Sequence, residues 1–153
     1  MSKLSACTLS SALALYLATS GSTRAFADDT VAPVRLDRDK VAGLGLTAIP
    51  PDAFKDILVG GELNMRIATL FQGKELRVSI FESTPAKTDH RKRPTDLDEF
   101  VYVLSGKLIL TETNGTKHEF RPGDSLVLPV GYTGTWEMQG NYRELVVEMQ
   151  KSR

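Results

Sequence analysis

The chain has 153 residues, 41% of them hydrophobic and 25% charged, with 19 Lys and Arg against 19 Asp and Glu; these values fit one ordinary globular domain. A formal net charge of zero excludes the concentrated basic surface that nucleic acid or an anionic membrane requires of a partner. The single cysteine, Cys7, excludes a disulfide framework.

Residues 1–27 read as a secretory signal peptide. Lys3 supplies the positive start, residues 4–18 are largely apolar or small, and Ala25-Phe26-Ala27 gives the small-x-small pattern that precedes cleavage. A membrane anchor is the alternative, but Ser5, Thr8, Ser10 and Ser11 leave the run short of the roughly 20 apolar residues that span a bilayer. Leu4-Ser5-Ala6-Cys7 looks like a lipoprotein cleavage box, yet it precedes the apolar stretch it should follow. Cleavage after Ala27 removes Lys3, Arg24 and Cys7, leaving 17 basic against 19 acidic residues and no thiol. The expected location is the periplasm or the cell exterior, with no membrane contact afterwards.

Residues 28–60 carry a weak pattern punctuated by Pro33, Gly43, Gly45 and Pro50-Pro51, which predicts an extended arm or edge segment able to drape over a partner subunit. From residue 61 to the end the chain turns into short β-favouring runs separated by turn residues. Strands are predicted at 65–71, 76–82, 99–104, 107–113, 117–120, 125–128, 135–138 and 142–149. No long amphipathic helix and no repeat is visible.

Asn114-Gly115 between two runs predicts a hairpin with a two-residue type I′ loop, since both central residues tolerate positive φ. That loop sets Thr111 opposite His118 and Ile109 opposite Phe120. It turns His118 inward and sends Glu112, Lys117, Glu119 and Arg121 to the wet face. In the last run Leu145, Val147 and Met149 alternate with Glu144, Val146 and Glu148, the pattern of a half-buried antiparallel strand.

Asp98-Glu99-Phe100-Val101-Tyr102-Val103-Leu104-Ser105-Gly106 places six residues between a glutamate and a glycine and resembles the second half of the first cupin motif. Gly123-Asp124-Ser125-Leu126-Val127-Leu128-Pro129-Val130-Gly131 is similar to the opening of the second. Gly134-Thr135-Trp136-Glu137 further resembles the cupins typified by ureidoglycine aminohydrolase. The likeness covers about residues 81–149. It implies an all-β, double-stranded β-helix (jelly-roll) barrel over 61–153, as a homodimer.

Metal-binding cupins take two histidines before the motif glutamate and a third after the proline-x-glycine. Counting from Glu99, the first two positions fall on Arg93 and Thr95, or on Lys92 and Pro94 with a longer spacer, and the third on Gly134. Glu99 alone survives, and one carboxylate cannot hold a first-row metal against water. No cofactor is therefore expected. A divalent transition metal, if held at all, would need a rearranged set drawn from Glu99, His90, Asp96 and His118. His118 otherwise reads as a rim histidine, and His90, beside Arg91-Lys92-Arg93, as exposed.

Glu99 shares a face with Val101 and Val103, so it is expected to enter the apolar interior as a general acid or base, as an anchor for a small ligand, or as a group bonded within the fold. Trp136, Thr95 and Asp96 are the expected ligand neighbours of Glu99, with core filling as the other role for Trp136. Phe100 and Tyr102 fall on the opposite face. The sequence thus predicts an exported cupin that binds a small molecule in its barrel. Its rivals are a metal-dependent hydrolase or lyase and a structural or protein-interaction module, and no residue names a reaction.

Overall fold

The computed structural model describes residues 31–149; the stretch read as a signal peptide lies outside the described residues. Two strands are far longer than the others, β6 (Glu99–Glu112) and β9 (Gly134–Met149), and they run antiparallel side by side. Around them lie β1 (Thr47–Ala48), β2 (Leu58–Gly61), β3 (Met65–Gln72), β4 (Leu76–Ser83), β5 (Ala86–Asp89), β7 (Lys117–Phe120) and β8 (Ser125–Leu128). The last half of β9 pairs with β4, which continues to β3 and β1, and its first half pairs with β5 and then β2. On the other edge of β6, the first half pairs with β8 and the second with β7. β6 and β9 therefore belong to two facing layers at once, and the antiparallel sheet curls into the predicted jelly roll.

The bend that allows this sits where the register of β6 slips, between Val103 and Lys107. Gly106 there has φ +72°, and a Cβ on it would lie 2.7 Å from the Gln139 carbonyl oxygen and 2.7 Å from Tyr142 Cα. Only glycine brings the two backbones this close at positive φ. The runs predicted at 99–104 and 107–113 are for this reason one bent strand, as are those at 135–138 and 142–149.

Inside the curl Val101, Val103 and Leu108 are fully buried, joined by Leu110, Leu128, Met138 and Val146. Full burial of each such side chain stabilises by about 1.5–3 kcal/mol. Phe100 and Tyr102 face outward, half-exposed, as their alternation implies.

Two expectations change. The hairpin loop holds three residues, Thr113-Asn114-Gly115, with Gly115 at φ +90° donating its N–H to the Glu112 carbonyl, so Leu110 faces His118 and Leu108 faces Phe120. A type I turn closed by a left-handed glycine wins over the two-residue turn, and the Asn114 side chain locks it by accepting the Thr116 N–H at 2.8 Å. The one-residue slip moves Glu112 onto the face of His118. Residues 31–60 also differ from an extended arm: they hold α1 (Arg38–Val41), capped by Asp37, a 3-10 turn at Pro51–Phe54, and the strands β1 and β2, which pair with β3 and β5. The boundary expected at 60/61 falls inside β2.

Gly106→Ala is expected to destabilise the fold by about 2 kcal/mol or more, combining left-handed strain with the backbone collision. Urea denaturation measures it, and wild-type stability in the variant would contradict this account of the bend.

Candidate functional site

Residues of β3, β4, β5 and β9, with Phe54, Ile57 and Leu63, line a chamber of about 100 Å³ that shares Met65, Phe81, His90, Trp136 and Glu144 with a wider vestibule of about 420 Å³, which Glu99 of β6 also lines. Together they suit a small molecule rather than a polymer. Glu99, the first residue of β6, lies in the vestibule wall opposite Glu148 of β9. Trp136 stands between Thr88 of β5 and Leu110 of β6, its ring centroid 5.3 Å from that of His90. Asp96 is exposed at the vestibule rim, and Thr95 is beside it. The Thr95 hydroxyl is already engaged, donating to the Pro129 carbonyl at 2.9 Å and accepting the Tyr132 N–H at 3.0 Å, so it clamps the loop before β9.

The two histidines part company. His90, expected to be exposed, is half-buried in the lumen wall with Nε2 3.1 Å from the Thr88 hydroxyl, and burial holds its imidazole below the usual histidine range. His118 shares the inward face of Leu110 and Phe120 but stays 46% exposed, 2.6 Å from Glu112, in a separate cleft with Leu126, Leu128 and Tyr132. The structure thus brings Glu99, Asp96 and His90 to one vestibule and leaves His118 outside it.

These donors do not fit a metal. Among the described residues no three His, Cys, Asp or Glu side chains converge closely enough to hold one. Arg93, at a position where metal-binding cupins carry histidine, donates to the Ala53 carbonyl at 3.0 Å and to Asp56 at 3.2 Å, with its guanidinium 5.8 Å from the Phe54 ring centroid. At Gly134, the third position, a Cβ would sit 2.5 Å from the Thr111 carbonyl oxygen and 2.6 Å from the Tyr132 hydroxyl. No side chain fits there without movement of the backbone.

Sequence reasoning missed two lumen carboxylates. The buried face of β9 is that of Tyr142, Glu144, Val146 and Glu148, whereas Leu145 and Val147 are half-buried and Met149 is 51% exposed. Strict alternation carried the signal, because Val103 and Glu144 are register partners and so are Glu99 and Glu148. Once Glu99 enters the lumen, its partner must follow.

Each acid is handled differently. Glu148 forms a two-point ion pair with Arg77, one contact at 2.6 Å. Glu144, 6% exposed, accepts the Tyr142 hydroxyl at 2.5 Å. Glu99 accepts no hydrogen bond from a described residue and joins no ion pair among them. Burial lifts the Glu99 carboxyl to about 7, reinforced by Glu148 and Asp96 and opposed by Arg77. Burial also lifts Glu144 to about 7, with the Tyr142 hydrogen bond opposing and Glu99 reinforcing.

Because both acids titrate near 4.5 when unfolded and near 7 when folded, the native state holds more protons across that window, and stability must fall as pH rises through it. Asp89, held down to about 2 by Arg91, acts only below the window. Melting temperature at constant ionic strength is therefore expected to drop between pH 5 and pH 7.5, and Glu144→Gln to flatten the slope. A rising or flat wild-type profile would contradict the uncompensated burial of these acids.

Residues 72–144 match the EutQ-like cupin domain family. No curated protein matches the chain in sequence. Among solved structures, EutQ of Clostridium difficile is similar at 16% identity and TM-score 0.54, over 76% of this chain and 80% of that one. The polyketide cyclase RemF of Streptomyces resistomycificus is similar at 21% identity and TM-score 0.53, over 78% and 81%. A protein of unknown function from Pseudomonas syringae pv. tomato is similar at 24% identity and TM-score 0.62; the match covers 74% of this chain but only 46% of that one. At these identities the likeness carries the fold and no activity. With the jelly-roll topology, the Glu99 to Gly106 segment in β6 and the domain match over 72–144, the chain carries a cupin domain similar to that of the EutQ-like family.

Proposed function

We propose that this protein is an exported, small-molecule-binding cupin whose ligand occupies the chamber and vestibule. The observation that carries the reading is an apolar-walled cavity with unsatisfied polar atoms: the Ser83 hydroxyl and the Trp136 indole N–H are buried and have no hydrogen-bond partner among the described residues. A buried polar atom left without a partner costs about 1–3 kcal/mol, and a ligand that hydrogen-bonds to it recovers that loss. Export rests on residues 1–27 alone, with the periplasm or cell exterior as destination. The proposal includes a homodimer, which the apolar outer-face neighbours Phe100, Tyr102 and Val127 favour over a charged partner.

The rival reading, a hydrolase of the ureidoglycine aminohydrolase kind, draws on Gly134-Thr135-Trp136-Glu137 and on Glu99. It requires a stoichiometric transition metal, so elemental analysis of the purified protein separates the two.

Trp136 is the only tryptophan in the chain and lines both parts of the cavity, so its fluorescence reports occupancy. A thermal-shift screen across amino acids, ureides, polyamines and sugars is expected to yield a compound that raises the melting temperature, by mass action, and changes Trp136 emission saturably. Glu99→Gln is expected to weaken that compound about tenfold. A full screen without a hit, or unchanged affinity in Glu99→Gln, counts against the reading.

A further inference from the structure

The charge of the lumen identifies a class of ligand. Four carboxylates line the vestibule, Asp96, Glu99, Glu144 and Glu148, and the cations near them are already committed. Arg77 is paired to Glu148, Arg93 is held by the Ala53 carbonyl and Asp56, and burial disfavours the charged form of His90, whose Nε2 lies 3.1 Å from the Thr88 hydroxyl. Neither Glu99 nor Glu144 has an ion-pair partner among the described residues, and Glu144 uses one oxygen, the one that accepts from Tyr142. Acids buried without counter-charge are costly to the fold, and the cost is removed by a cation that enters with the ligand.

A second feature points to an occupant. Ser83, 5% exposed, stands opposite Tyr142 on the lumen face of β4, and its hydroxyl lies in the chamber wall with no partner among the described residues. It is placed to hydrogen-bond a group seated near Glu144. Val146, Phe81 and Trp136 line the vestibule together with the acids, and the two aromatic faces accept both alkyl chains and cationic groups. An anion would meet two unpaired carboxylates, and a bare metal ion would find no converging set of donors.

We propose that the ligand is a small organic cation, an alkyl amine whose ammonium pairs with Glu144 in the chamber while its chain runs along Phe81 and Trp136 toward Glu99 at the vestibule. The proposal rests on the lumen being a ligand site and names what that site selects. Along β9, Glu144 and the residue facing Glu99 are four positions apart, roughly 13 Å at about 3.3 Å per residue. A second amine on a short chain is therefore directed at Glu99, so diamines bind more tightly than monoamines.

The test is titration of the mature protein with n-butylamine, 1,4-diaminobutane, 1-butanol and butyrate, followed by Trp136 fluorescence and melting temperature at pH 5 and pH 8. Both amines are expected to bind saturably, the diamine at least tenfold tighter, with 1-butanol at least tenfold weaker than butylamine and butyrate silent. Amine affinity is expected to rise from pH 5 to pH 8 as the carboxyls ionise, and Glu144→Gln to lower it at least tenfold. If that variant does not fold, the wild-type pH trend and Glu99→Gln, which should abolish the diamine advantage, carry the decision. Equal binding of the alcohol or of butyrate, or amine affinity indifferent to pH and to both substitutions, overturns the cation assignment and leaves the lumen site standing. Failure of all four probes while another compound shifts Trp136 emission also overturns it, whereas a lumen that responds to no compound at all sinks the ligand site as well.

Discussion

β6 and β9 must serve two layers at once. A strand that leaves one sheet for the facing one has to bend without breaking its ladder, and here the bend is made where Gly106 passes within contact of Gln139 and Tyr142. Because the two strands bend together, their register holds on both sides, from Glu99 opposite Glu148 to Glu112 opposite Gly134. That register decides which side chains enter the lumen. The fully buried valines Val101 and Val103 and the acids Glu99 and Glu144 are consequences of one alternation.

The acids show that stability is not the only demand on this interior. A jelly roll of this size gains its stability from apolar burial, and inward carboxylates subtract from it unless paired. Glu148 is offset by Arg77, Glu144 only partly by a tyrosine hydroxyl, and Glu99 by no described side chain. The imbalance lies in the lumen, next to the unpartnered Ser83 and Trp136 polar atoms. Local inconsistency of this sort marks functional sites in otherwise self-consistent folds.

Comparison with the metal-binding cupin pattern gives the same picture from the other side. The glycines and the proline of the two motif-like segments are present, while the positions expected for imidazole hold Arg93, Thr95 and Gly134 with the shorter spacer, Lys92 and Pro94 replacing the first two with the longer. Each of the first three has a local task or constraint of its own: Arg93 braces the turn at Ala53, Thr95 clamps the loop before β9, and Gly134 has no room for a side chain. The barrel keeps its architecture, and its lumen is lined by carboxylates and aromatic rings.

Strand periodicity pointed to an all-β sandwich or barrel, because short alternating runs and turn residues are local signals, and the resemblance of the Glu99 to Gly106 and Gly123 to Gly131 segments to cupin motifs implied the jelly roll. Glu99, Trp136, Thr95 and Asp96 were grouped by the cupin resemblance, and all four line the vestibule. β5 was not, since residues 86–89 lack alternation and are strand only because β9 and β2 flank them. The hairpin register at Thr113-Asn114-Gly115 was beyond local reading, because two- and three-residue loops accept the same asparagine and glycine. The inward turn of Glu144 and Glu148 was hidden too: hydrophobicity alone would bury Leu145 and Val147, and it took long-range pairing with β6 to choose the other face. Local patterning sets what kind of element forms, but which face is buried is a property of the partner strand, and that partner lies some forty residues away in the chain.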